Sequence, residues 1–190
     1  TVQLENDPGS GDRFVFVAQG FRDREDIFLV AGIEAVGKEQ RRDAGRRGRH
    51  EGVPRPGQPP EAFGIDTRSI HVLDALYATG KEVVAVSGNM DLREVDAAFP
   101  AQRVLEIEAV RIGIVHGWGS PHGIRERIRD SFKQVDAIIY GHTHQGYCGI
   151  ENGVLFFNPG SPLDSRFTTS HSVGIMEIDG TKIRGELIRI

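Results

Sequence analysis

The stretch Asp136-Ala137-Ile138-Ile139-Tyr140-Gly141-His142-Thr143-His144 decides how this chain is read. The apolar run closed by a glycine predicts a short buried strand. Two histidines follow at i and i+2. In extended backbone, alternate side chains share a side. The sequence therefore predicts that both imidazoles point to one place just past a strand end. Neutral imidazole is the commonest side-chain metal ligand, whereas a His-x-His on an arbitrary loop is ordinary surface. The company the motif keeps decides between the two.

Three other strands end in the same way. Val83-Val84-Ala85-Val86 runs into Ser87-Gly88-Asn89-Met90-Asp91. Val110 to Val115 runs into His116-Gly117-Trp118-Gly119, and Val154-Leu155-Phe156-Phe157 into Asn158-Pro159-Gly160-Ser161. Ligand sites in open α/β sheets gather at the carboxyl ends of strands. By itself Gly-Asn-x-Asp is a common turn, and a lone His116 is a strand-end residue bonded to backbone. Taken together, nitrogen and oxygen ligands on loops over one sheet edge suit hard or borderline divalent ions.

The remaining elements fill in around these ends. Phe14 to Ala18 and Ile27 to Ala31 read as opening strands. Ser69 caps a predicted helix carrying Ile70, Leu73, Leu76 and Tyr77, with Gly80 as its stop. Arg103 to Glu108 pairs with Val110 to Val115. Pro121 opens a helix through Ile124, Ile128 and Phe132, with its arginines on the solvated face. Asn152-Gly153 joins Gly146 to Ile150 with Val154 to Phe157 as a hairpin. Val173 to Ile178 and Ile183 to Ile190 close the chain around Asp179-Gly180. No internal repeat is present.

A chain of 190 residues suits one domain, 1–190, and can bury a real core. Its net charge of -4, from 23 basic and 27 acidic residues, points to neither a nucleic-acid partner nor a membrane surface. The single cysteine, Cys148, cannot form an internal disulfide, which fits a reducing cytoplasm. No apolar run is long enough to cross a bilayer, and no signal peptide is expected. The chain begins at Thr1 rather than Met, as a fragment would. Lys38 to Pro60 is rich in Arg, Gly and Pro, so 38–60 is expected to be an irregular or disordered insertion. Interleaved Glu39, Asp43 and Glu51, with no aromatics, argue against a basic nucleic-acid arm there. An out-of-frame GC-rich message gives the same bias.

Gly-Asn-Met-Asp, His-Gly-Trp, Gly-His-Thr-His and Asn-Pro-Gly-Ser, in this order and spacing, resemble the calcineurin-like metallophosphoesterases. The likeness is strongest to the small bacterial and archaeal phosphodiesterases, and it covers Phe63 to Ile190, about two thirds of the chain. The resemblance implies an α/β fold: two packed mixed β-sheets flanked by helices, a four-layer sandwich. It also implies two divalent metal ions, Mn²⁺ first and Zn²⁺, Ni²⁺ or Fe²⁺ as alternatives, hydrolysing a small phosphate ester. By matching positions, Asn89, His116 and His142 hold one ion and His144 belongs to the other. Asp66 stands near the place of the bridging aspartate, although Gly64-Ile65-Asp66 carries an extra residue within the expected Gly-Asp pair. Asn89 and Asp91 are the expected catalytic pair, with Asp91 supporting the site rather than ligating. A homo-oligomer is compatible with this reading.

The chain also departs from the family. The opening strand should end in Asp-x-His but reads Ala18-Gln19-Gly20-Phe21. Met90 replaces the histidine that protonates the leaving group in many members, and a thioether cannot donate that proton. Activity is therefore expected to be impaired. The alternative is an interaction scaffold, because the retromer complex uses a subunit of this fold as a binding platform.

Overall fold

Short runs that are apolar at every position can be buried on both faces only inside a layered structure, and this chain has several. The computed structural model describes the backbone of residues 2–3, 12–18 and 28–34. It describes backbone and side chains at residue 78 and across residues 83–89, 99–163 and 166–190. Among these are strands β1 (Val2–Gln3), β2 (Asp12–Ala18), β3 (Phe28–Glu34), β4 (Val83–Val86), β5 (Gln102–Ile107) and β6 (Val110–Val115). Helix α1 (Ile124–Arg129) follows, then β7 (Ala137–Tyr140), β8 (Tyr147–Glu151), β9 (Val154–Asn158), β10 (Ser172–Asp179) and β11 (Lys182–Arg189). The expected insertion at 38–60, the helix after Ser69, and Asp66, Met90 and Asp91 lie outside the described residues.

The strands form two sheets. One has the order β1-β11-β10-β2-β3-β4, the other β5-β6-β7-β9-β8. The mixed character sits in the second: β6, β7 and β9 are mutually parallel, and β5 and β8 pair antiparallel at its edges. Every described pairing in the first sheet is antiparallel. Parallel registers Val115↔Tyr140 and Ile139↔Phe157 align three carboxyl ends on one edge.

Side-chain alternation sorts these strands into two cores. Val84, Val86, Ile112, Ile114, Ile139, Phe157, Met176 and Ile178 meet between the sheets. Val115, Ile138, Tyr140 and Phe156 turn to the other face and meet Ile124, Ile128 and Phe132. The architecture is an α/β sandwich, as the motifs implied. Two hairpin turns also tie the sheets together. Glu108, between β5 and β6, accepts from the Gly180 amide between β10 and β11, and Gly180 returns its carbonyl to Ala109.

Helix α1 is shorter than the sequence predicts. Gly123 at its N-cap has φ +69°, which stops the helix from extending back to Pro121. At the other end, Ser131 and Phe132 donate to Ile128 and Arg129, three residues back, so the last turn tightens and ends. Phe132 still reaches the core. Its ring lies over Gly113, where an added Cβ would come within 2.8 Å of it.

That contact gives a prediction. Gly113→Ala should destabilise the protein by about 1–3 kcal/mol through overpacking. Phe132→Leu should recover part of the loss in a double-mutant cycle. Strict additivity in urea unfolding would show that the two sites are not in contact.

Candidate metal centre

The edge where β6, β7 and β9 end carries three polar segments, and β4 delivers a fourth from the other sheet. His116 directly follows β6. Its carbonyl accepts from the Gly141 amide at 2.9 Å, so the parallel ladder runs one step past the strands. This sets His116 beside the Gly141-His142-Thr143-His144 turn. Asn89, two residues beyond the Ser87 that bonds Pro100 O, completes the group.

Asn89 Oδ1 lies 2.8 Å from His116 Nε2 and 3.2 Å from His142 Nδ1. The two imidazoles meet edge to face, with centroids 5.4 Å apart. His142 Nε2 is 2.7 Å from the Gly119 carbonyl. A carbonyl only accepts, so Nε2 carries the hydrogen and Nδ1 of the neutral ring keeps a lone pair. Nδ1 and Asn89 Oδ1 are then two lone-pair atoms facing each other, an arrangement a cation relieves. Spacings of 2.8 and 3.2 Å also suit neighbouring ligands about 2.1 Å from one ion. The donor set fits a borderline divalent metal.

Burial is the main reason that His116 is held down to a pKa of about 3, with the charges of His142 and His144 adding to it. The ring is therefore neutral at working pH, as a ligand must be. His144 is buried in the same turn and packs edge to face on Phe167 at 5.6 Å. A cavity of about 390 Å³ lined by Gln145, Arg166, Phe167, Thr168 and Thr169 adjoins it. Among the described residues, no three His, Cys, Asp or Glu side chains form a metal cluster by themselves; the Asn89 amide is what completes this one.

One expectation is corrected. The two histidines were expected to share a side because the backbone was expected to be extended. Instead His142 has φ 65° and His144 φ 58°, both left-handed. Thr143 N bonds back to Gly141 O at 2.7 Å, and this tight turn excludes the extended form. The strain is held by Asn158, which is fully buried at the end of β9. Its Nδ2 donates to Gly141 O at 2.9 Å and to Thr143 Oγ1 at 3.0 Å, and its Oδ1 accepts from Gly160 N. Gly160 has φ +83°, and a Cβ there would overlap the Ser172 hydroxyl, which donates to Pro159 O. The Asn-Pro-Gly-Ser motif thus braces the histidine turn.

Two arginines of α1 also depart from the solvated-face expectation. Arg125 bridges to Glu151 at 2.5 Å and covers the Tyr147 ring. Arg127 donates to the carbonyls of Trp118, Ser120 and His122. A loop with three glycines and a proline leaves many carbonyls to satisfy, and that was the available signal.

The residues in this edge follow the pattern of a known superfamily, and comparison bears this out. A model of the calcineurin-like phosphoesterase superfamily domain matches residues 65–181, more than half of the chain. The chain belongs to that superfamily. It is 38% identical over 109 residues to a probable metallophosphoesterase of Methanothermobacter thermautotrophicus, covering 56% of this chain and 62% of that protein. It is 30% identical over 115 residues to phosphodiesterase YfcE of Escherichia coli K12, covering 57% and 59%. The match therefore spans less than two thirds of either relative. Among solved structures, it resembles vacuolar protein sorting 29 of Cryptosporidium parvum at 26% identity and a TM-score of 0.50, covering 63% of this chain and 74% of that one.

Two outcomes test this geometry. Asn158→Leu takes the partner from the Gly160 N–H, at about 1–3 kcal/mol for that buried group, and removes one of the two donors to Gly141 O. Its thermal midpoint should fall well below that of Ser170→Ala, a change at an exposed position; equal midpoints would show that the amide does not brace the turn. Second, unfolded His116 takes its proton near 6.5, and folded His116 only near 3. The unfolded state therefore binds more protons between those values, and its share of stability, present above 6.5, is lost as pH falls. Urea midpoints should drop below pH 6.5 less steeply in His116→Gln than in the parent; parallel curves would contradict this.

Proposed function

We propose that this chain is a divalent-metal-dependent phosphoesterase, acting on phosphodiesters or phosphomonoesters through metal-activated water, and weak in this form. The reading is carried by the meeting of Asn89 Oδ1 with His116 Nε2 and His142 Nδ1. These three would hold one ion, Mn²⁺ first, with Zn²⁺, Ni²⁺ and Fe²⁺ of similar ligand preference. His144 and Asp66 remain for a second. When bound, such ions supply a hydroxide-like nucleophile at neutral pH and positive charge against the phosphoryl oxygens.

The chain's own residues do the rest. Neutral His116 and the Nε2-bonded His142 each keep one ring nitrogen with a lone pair, and Asn158 keeps the turn in place. Asp91 would orient Asn89. Met90 offers no proton, so an ester whose leaving group departs unprotonated, such as an aryl ester, suits this site best. Its organic group would lie in the cavity beside His144, against Phe167. In the sequence, Gln19 and Phe21 occupy the positions at which the family's Asp-x-His would supply the second ion's ligands. Losing that half of the clamp costs several kcal/mol in the transition state. A lone-pair set of this kind favours the catalytic reading over the interaction platform. A small phosphate ester is the expected partner, in the cytoplasm.

Hydrolysis of bis-p-nitrophenyl phosphate with excess Mn²⁺ tests the reading. The double variant Gln19→Asp/Phe21→His should be roughly 100-fold faster than the parent, which corresponds to about 3 kcal/mol. His142→Ala should abolish both activities. No turnover by either protein would overturn the proposal. Equal, robust turnover by both would show that other residues complete the second site.

A further inference from the structure

We infer that Arg127 is a positioning residue for His142, acting through the loop between β6 and α1. Gly117, Gly119 and Gly123 in this loop all have positive φ, so its backbone has little conformational preference of its own. The Arg127 guanidinium supplies that preference. Nη1 donates to His122 O at 3.0 Å, and Nη2 donates to Trp118 O at 3.2 Å and to Ser120 O. With the carbonyls on either side of Gly119 drawn to the guanidinium, the Gly119 carbonyl is left for His142 Nε2 at 2.7 Å.

This bond chooses the tautomer. It places the hydrogen on Nε2 and leaves Nδ1 bare toward Asn89 Oδ1, 3.2 Å away. A ligating histidine whose other nitrogen donates to a fixed carbonyl is held in orientation, and losing such a partner typically costs roughly 10–100-fold in metal affinity. Arg127 is suited to the task because its planar fork meets several acceptors at once. Its neighbour Arg125 is spent on Glu151 and Tyr147 at the other side of the helix and offers an internal control. The inference rests on the proposed metal site, but its first observable does not need metal.

Arg127→Met, Arg127→Lys and Arg125→Met are compared in the full chain. Long-range ¹H–¹⁵N spectra of the metal-free proteins report the His142 tautomer, and calorimetric titration with Zn²⁺ reports affinity. Arg127→Met should convert His142 from the Nε2–H form to a mixture and weaken Zn²⁺ binding roughly 10–100-fold. Arg127→Lys should restore part of both. Arg125→Met should lower the thermal midpoint and move neither. An unchanged tautomer in Arg127→Met would overturn the proposal, as would Zn²⁺ affinity within twofold of the parent's. If Arg127→Met does not fold, Arg127→Gln takes its place under the same criteria. A parent that binds no Zn²⁺ would defeat the metal reading alone, and the tautomer would still decide the role of Arg127.

Discussion

The register that sets Val115 beside Tyr140 and Ile139 beside Phe157 is the constraint from which the site follows. Strands running in the same direction must end together, and their next residues must share an edge. Burial enforces that register. Ile138 and Tyr140 belong to the helix-side core, Ala137 and Ile139 to the core between the sheets. A one-residue slip of β7 would exchange the two sets. The apolar interior thus fixes where His116 and the histidine turn meet, with no polar contact needed to choose the place.

Polar contacts then choose the geometry. Two non-glycine residues of a four-residue turn sit at positive φ, at a cost of order 1–3 kcal/mol each. Asn158 offsets part of that cost because its amide is fully buried and all three of its bonds are made. The same residue ends β9 and opens the Pro159-Gly160 turn. Strand, brace and turn are therefore one covalent unit, which explains why a motif more than ten residues downstream belongs to the histidines.

Most of this was legible in the sequence where periodicity and punctuation agree. Ala137 to Tyr140, Val154 to Phe157 and the Asn152-Gly153 hairpin all appear as read. Val173 to Ile178, a strand of the predicted closing hairpin, appears as β10, while its buried side, which includes Ser172 and Gly174, was not legible from hydropathy. Backbone sign was not legible. Nothing in His142-Thr143-His144 announces a left-handed turn, because its cause is an asparagine on another strand. Helix length was misread because Gly123 acts by conformation, while Ile124, Ile128 and Phe132 keep helical spacing regardless of where the helix stops. Arg127 was hidden for a related reason: a long side chain can fold back along its own helix, and periodicity records only the direction of its Cβ.

Asn89 comes from the six-stranded sheet, His116 and His142 from the five-stranded one. A ligand gripped by all three is a rivet through two plates. Its grip then senses how the plates slide. The Phe157 ring is seated against Gly174 and Gly185 of the opposite sheet, where an added Cβ would come within 2.5 and 3.0 Å of it. A methyl group there acts as a shim, prying the layers apart beside the carboxyl end of β9. The site is in this sense a gauge of interlayer spacing, and the smoothest residues of β10 and β11 set its zero.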